Sequence, residues 1–82
     1  MTGPDQFSLL FVDDESDFLA TIDEFFTSLG YTVYTANNGQ EALLRVKDHV
    51  PNAVFLDISM PQMDGTETLR LIHEIDDSIQ VI

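Results

Sequence analysis

Short, nearly unbroken apolar runs alternate along this chain with stretches of helical period. That alternation limits the folds open to it more than any other feature. Phe7-Ser8-Leu9-Leu10-Phe11-Val12 stops abruptly at Asp13-Asp14. A run too short for a helix and apolar at nearly every position fits a strand buried on both faces of a parallel sheet. From Ser16 the period changes: Phe18, Leu19, Ile22, Phe25, Phe26 and Leu29 recur at steps of three and four, with Asp17, Asp23 and Glu24 between them. This spacing predicts an amphipathic helix, ended by Gly30 where a left-handed cap is common. Residues 31–36 are β-branched and aromatic with alternation, and predict a second strand. Asn38, followed three residues later by Glu41, has the pattern of a capping box, and Ala42, Leu43 and Val46 supply the buried stripe of a second helix. Pro51-Asn52 ends that helix, residues 53–56 form a third apolar run, and Asp57 closes it. A loop with Pro61 and Gly65 leads to Leu69, Ile72 and Ile75 at helical spacing. Asp76-Asp77 breaks the pattern, and residues 78–82 open a fourth strand.

The order βαβαβαβ predicts a parallel sheet with right-handed crossover helices on its faces. Ligand sites in such sheets lie outside the carboxyl ends of the strands. Eighty-two residues make one small domain, burying about 60–65% of the unfolded surface. Residues 1–6 read as a short leader and 7–82 as the domain. The absence of cysteine excludes disulfides, zinc fingers and thiol catalysis. Fifteen acidic residues against three basic ones (Arg45, Lys47 and Arg70) give a net charge of −12. That balance repels nucleic acid and anionic membrane, and suits cations or basic partners. No apolar run approaches a membrane span and no cationic signal sequence opens the chain, so a cytoplasmic location is expected.

Two strands end in aspartate, so Asp13-Asp14 and Asp57 are expected at the same sheet edge. Singly, the pair can stabilise a helix start and Asp57 can form a turn. Together, three carboxylates repel one another unless a cation or proton compensates. Oxygen donors select a hard ion such as Mg²⁺, which accepts one or two carboxylates together with waters and phosphate oxygens. Magnesium beside a carboxylate suits phosphoryl transfer, with the carboxylate as a nucleophile.

The run Asp57-Ile58-Ser59-Met60-Pro61-Gln62-Met63-Asp64-Gly65 resembles the phosphoacceptor loop of response-regulator receiver domains. Phe11-Val12-Asp13-Asp14-Glu15 is similar to that family's acidic pair, and residues 36–42 are similar to its entry to the second helix. The resemblance implies a flavodoxin-like fold with the strand order 2-1-3-4-5, of which this chain would hold the first four strands. It implies that Asp57 takes a phosphoryl group from a histidine kinase or a small phosphodonor. Asp14 would then bind Mg²⁺ directly and Asp13 largely through water, with Asp57 and the backbone carbonyl of Ser59 as further ligands. Met60-Pro61 and Gly65 would shape the loop.

The family pattern also implies a hydroxyl at the end of strand four and a lysine at the end of strand five, both contacting the phosphoryl group. The sequence stops at Ile82, about two-thirds of the ~120 residues of a whole receiver. It is therefore expected to be truncated after strand four, without the fourth helix, fifth strand and fifth helix. Lys47, one residue past the core position Val46, is expected to be solvated rather than to replace the missing lysine. Loss of two charge-assisted contacts should leave phosphorylation slow or absent. The alternative function is a non-catalytic receiver fragment that folds and self-associates. A homodimer or larger assembly is expected, covering apolar strand surface around Leu10, Val54, Leu56 and Val81 or the open edge of strand four. Phe18, Phe25 and Phe26 are expected in the core, His49 and His73 at helix surfaces or ends, and Asp76-Asp77 in a solvated loop.

Overall fold

The computed structural model describes residues 7–56 and 65–82. The elements are β1 (Ser8–Val12), α1 (Ser16–Ser28), β2 (Thr32–Ala36), α2 (Gly39–His49), β3 (Ala53–Leu56), α3 (Gly65–Ile75) and β4 (Gln80–Val81). All strands pair in parallel, in the order β2-β1-β3-β4. The expected α/β order and the flavodoxin-like strand order are both present.

Alternation along each strand divides the core into two layers. Leu10, Val12, Val54 and Leu56 pack with Ala42 and Val46 of α2 and Ile72 of α3, and Val81 packs partly buried beside them. Leu9, Phe11 and Ala53 pack with Leu19, Ile22 and Phe26 of α1. Among the described residues, two helices therefore cover one face and a single helix the other. This overturns the expected location of uncovered surface: Leu10 and Val54 are fully buried, because their parity turns them toward the two-helix face. The thinly covered face carries Phe11 and Phe55, stacked with ring centroids 4.6 Å apart. Of the three α1 phenylalanines expected in the core, only Phe26 packs there. Phe18 and Phe25 are 47% and 56% exposed, since one helix row cannot point both at the sheet and beyond it.

The helix ends show why the chain turns where it does. At α1, the Tyr31 N–H donates to the Phe26 carbonyl (3.2 Å) and the Gly30 N–H to that of Thr27 (3.0 Å). These paired bonds form a Schellman cap, which places Gly30 at φ 100°. The Tyr31 and Phe26 rings meet 5.8 Å apart across the cap. Tyr31 is thereby spent on the helix end, and β2 begins at Thr32. At α2, Asn38 Oδ1 accepts the Glu41 N–H (2.8 Å), while a Glu41 carboxylate oxygen accepts the N–H of Asn37 (3.0 Å). The capping box is present with its return bond one residue early. The same helix ends on Val50, a β-branched residue held at φ 44°.

Asn52 does more than end α2. Its Oδ1 accepts the Ser8 N–H (2.8 Å), its N–H donates to the Ser8 carbonyl (2.9 Å), and its carbonyl accepts the Gln80 N–H (3.3 Å). The starts of β1, β3 and β4 are thus tied to one side chain and its backbone. The fourth strand is shorter than expected, because Asp76 Oδ1 accepts the N–H and hydroxyl of Ser78 (2.9 and 2.6 Å) and holds a turn there. Those bonds keep the Asp76 carboxyl below its ordinary value. His73 Nε2 donates to the Ile79 carbonyl (3.2 Å), fastening α3 to the approach of β4.

Candidate functional site at the carboxyl edge of the sheet

The register sets the site. Val12 of β1 stands opposite Ala36 of β2 and Leu56 of β3. Asp13 and Asn37 are the next residues along β1 and β2 and stand at the carboxyl edge of the sheet, where ligand sites of such sheets lie. The Asp13 N–H continues the ladder by donating to the Ala36 carbonyl (3.1 Å). Asp13 Oδ1 accepts the Glu15 N–H (3.0 Å), bending the chain from β1 into α1. This bond shapes the turn ahead of α1, whose first residues have no side-chain cap, and it uses one of the two Asp13 carboxylate oxygens. Asp14 is exposed. Asp57, Ser59, Met60 and Pro61 lie outside the described residues, as does the environment of the Gly65 side of that loop.

Among the described residues no group of three or more His, Cys, Asp or Glu side chains is placed to hold a metal ion. Asp13 and Asp14 nevertheless fit a hard cation: they supply oxygen donors alone, at the open end of the sheet. Magnesium takes one or two carboxylates and completes its shell with water and phosphate oxygens.

Asn37, which falls in the stretch 36–42 that resembles the entry to the second helix, was not expected at the site. Its side-chain amide donates to Ser16 Oγ (3.3 Å), tying the end of β2 to the start of α1. Asn37, Ser16, Asp23 and Thr35 line a polar hollow of about 270 Å³ beside the acidic edge. The signal that could have found it is strand register, because the residue after Ala36 must stand beside Asp13. Lys47 is exposed, and Arg45 is engaged at the opposite side of α2, its Nε donating to the Thr35 carbonyl (3.2 Å) on edge strand β2.

A flavodoxin-like α/β protein with paired carboxylates at the carboxyl edge of its sheet is the class that fold and site define. The sequence profile of the response regulator receiver domain matches residues 9–82. Sporulation initiation phosphotransferase F of Bacillus subtilis is 39% identical over 74 residues, covering 90% of this chain and 60% of that protein. The transcriptional regulatory protein PrrA of Mycobacterium tuberculosis is 36% identical over 80 residues, covering 98% of this chain but 34% of that protein. Among solved structures, the CheX-CheY-BeF3-Mg²⁺ complex from Borrelia burgdorferi matches with a TM-score of 0.80 at 38% identity, covering 92% of this chain and 58% of the matched one. The chain belongs to the response-regulator receiver domain family. It spans about a third of the length of the PrrA regulators it matches.

Proposed function

We propose that the chain is a phosphoacceptor module of two-component signalling, with Asp57 as the acceptor. The register of β1 against β3 carries this reading, because it sets Asp13-Asp14 at the edge where the chain passes from Leu56 to Asp57. A carboxylate oxygen of Asp57 forms the new bond to phosphorus. The bond from phosphorus to the donor breaks, and its electron pair leaves with the histidine or small phosphodonor. Asp13, Asp14, Asp57 and the Ser59 carbonyl would hold Mg²⁺, whose charge offsets that of the incoming phosphoryl group. Asp13 also positions the entry to α1 through the Glu15 N–H, so the pocket wall and the ligand set share one residue. Family membership makes the cytoplasm the expected location.

Lys47 is exposed on α2, and we do not assign it a contact to the acceptor. For the 82-residue polypeptide by itself we propose slow phosphorylation, since charge-assisted contacts to the phosphoryl group speed its transfer. Among the described residues β4 has a neighbour on one side only, which favours a second reading in which the chain also self-associates through that edge. Incubation with Mg²⁺ and an acyl-phosphate donor, followed by intact mass measurement, tests the first reading. The expected outcome is a slow gain of about 80 Da, one phosphoryl group, that is absent in Asp57→Asn. No gain at any time rejects the phosphoacceptor reading, and sedimentation then tests self-association alone.

A further inference from the structure

Among the described residues β2 is an outer strand, with β1 on one side and no strand on the other. In the order 2-1-3-4-5 a fifth strand joins beside β4, at the opposite side of the sheet. The ladder to β1 fixes which peptide groups of β2 point outward. The Thr32 N–H donates to the Phe7 carbonyl (3.2 Å), and the Ala36 carbonyl accepts the Asp13 N–H (3.1 Å). Thr32, Tyr34 and Ala36 therefore turn their backbone groups toward β1, while Val33 and Thr35 turn theirs to the open side. Such a row is a template for another strand. Its two outward residues lie symmetrically about Tyr34. A second copy of β2, antiparallel and related by a two-fold axis at Tyr34, would oppose Val33 to Thr35 and Thr35 to Val33. Each opposed pair exchanges two hydrogen bonds, so the edge is complementary to itself.

Arg45 stands in the way of that pairing. From α2 its Nε donates to the Thr35 carbonyl (3.2 Å), one of the outward groups. The chain has fifteen acidic residues and three basic ones, yet among the described residues Arg45 makes no ion pair, whereas Arg70 is paired with both Glu67 and Glu74. Its guanidinium is directed at a neutral carbonyl instead. In the two-fold arrangement each Thr35 carbonyl is the acceptor for the Val33 N–H of the other copy. Arg45 on each chain thus withholds two of the four bonds. We propose that Arg45 guards the β2 edge, keeping the strand from pairing antiparallel with β2 of a second copy.

The test is sedimentation of the unsubstituted chain, Arg45→Ala, and Arg45→Ala combined with Thr35→Pro. Proline at position 35 removes an outward N–H and keeps the carbonyl, so it blocks strand addition and leaves the bonds to β1 in place. Arg45→Ala should self-associate at least about tenfold more tightly, and the added Thr35→Pro should cancel that gain. Loss of a cation makes an already acidic chain more negative, so charge repulsion alone predicts the opposite change. Arg45→Met keeps the packed stem without a donor and should behave as Arg45→Ala. Register is read separately by crosslinking, which the cysteine-free sequence permits. Opposed residues of a non-hydrogen-bonded antiparallel pair lie about 4.5 Å apart at Cα, within disulfide reach. Tyr34→Cys should therefore oxidise to a dimer about tenfold faster beside Arg45→Ala than beside arginine, in line with the tighter association. Leu44→Cys, exposed on α2, should show no such gain. Unchanged association of both Arg45 variants, a gain that survives Thr35→Pro, or equal crosslinking of Tyr34→Cys in the two backgrounds overturns the proposal.

Discussion

Val50 is the residue at which local chemistry and chain path disagree most. It ends α2 at φ 44°, in the left-handed region that costs an L-residue with a branched Cβ about 1–2 kcal/mol. Its N–H still donates to the Val46 carbonyl (2.9 Å), and the following Pro51, which is buried, has no N–H to continue the helix. The strain is therefore the cost of turning α2 sharply into β3. Because the Val50 side chain is largely exposed, Val50→Asn should lose little packing and relieve the backbone. Urea unfolding should show a gain of about 1 kcal/mol, and a loss would mean that the valine packs better than its exposure indicates. Nothing in the sequence marks this position, because proline after a helix signals a stop without stating which conformation the preceding residue takes.

At the scale of elements, helix and strand identity was legible from period, whereas the side of each element was not. The unbroken run before Asp13 specifies a strand buried on both faces, but it does not say which parity meets one helix and which meets two. Leu10 and Phe11 look alike in sequence, yet Leu10 lies under α2 and α3 while Phe11 faces the single helix α1. The same limit separates Phe26, packed on the sheet, from Phe25 one residue earlier. Ile72→Ala should therefore cost about 3 kcal/mol, since it opens a cavity in the fully covered layer. Phe25→Ser should cost less than about 1 kcal/mol, as expected for a largely exposed position. Comparable urea midpoints for the two variants would show that α1 is not the thin cover described above. The position of Asp13 at the carboxyl edge was legible for a different reason: the end of β1 stands beside the ends of β2 and β3 in a parallel sheet of this order, whatever the parity of its residues.

For the molecule as a whole, charge is the dominant unbalanced quantity. A net charge of −12 on 82 residues disfavours the compact state through self-repulsion. Added sodium chloride should raise the thermal midpoint by screening that repulsion. A midpoint indifferent to salt would show that the acidic side chains are too dispersed to matter. The three basic side chains all lie from Arg45 onward, on α2 and α3, so the repulsion is least relieved around β1 and α1.

The separation of the core into two layers also distributes the chromophores. All six phenylalanines stand on or beside the α1 layer, and Tyr31 joins them at its ring contacts with Phe7 and Phe26. Tyr34 belongs to the other layer, stacked on His49 with centroids 4.1 Å apart, and the chain has no tryptophan. Each layer therefore holds one tyrosine of its own. With either tyrosine replaced by phenylalanine, the absorbance and fluorescence of the other become a private optical record of a single layer, so that melting of the two halves can be timed separately without an attached dye.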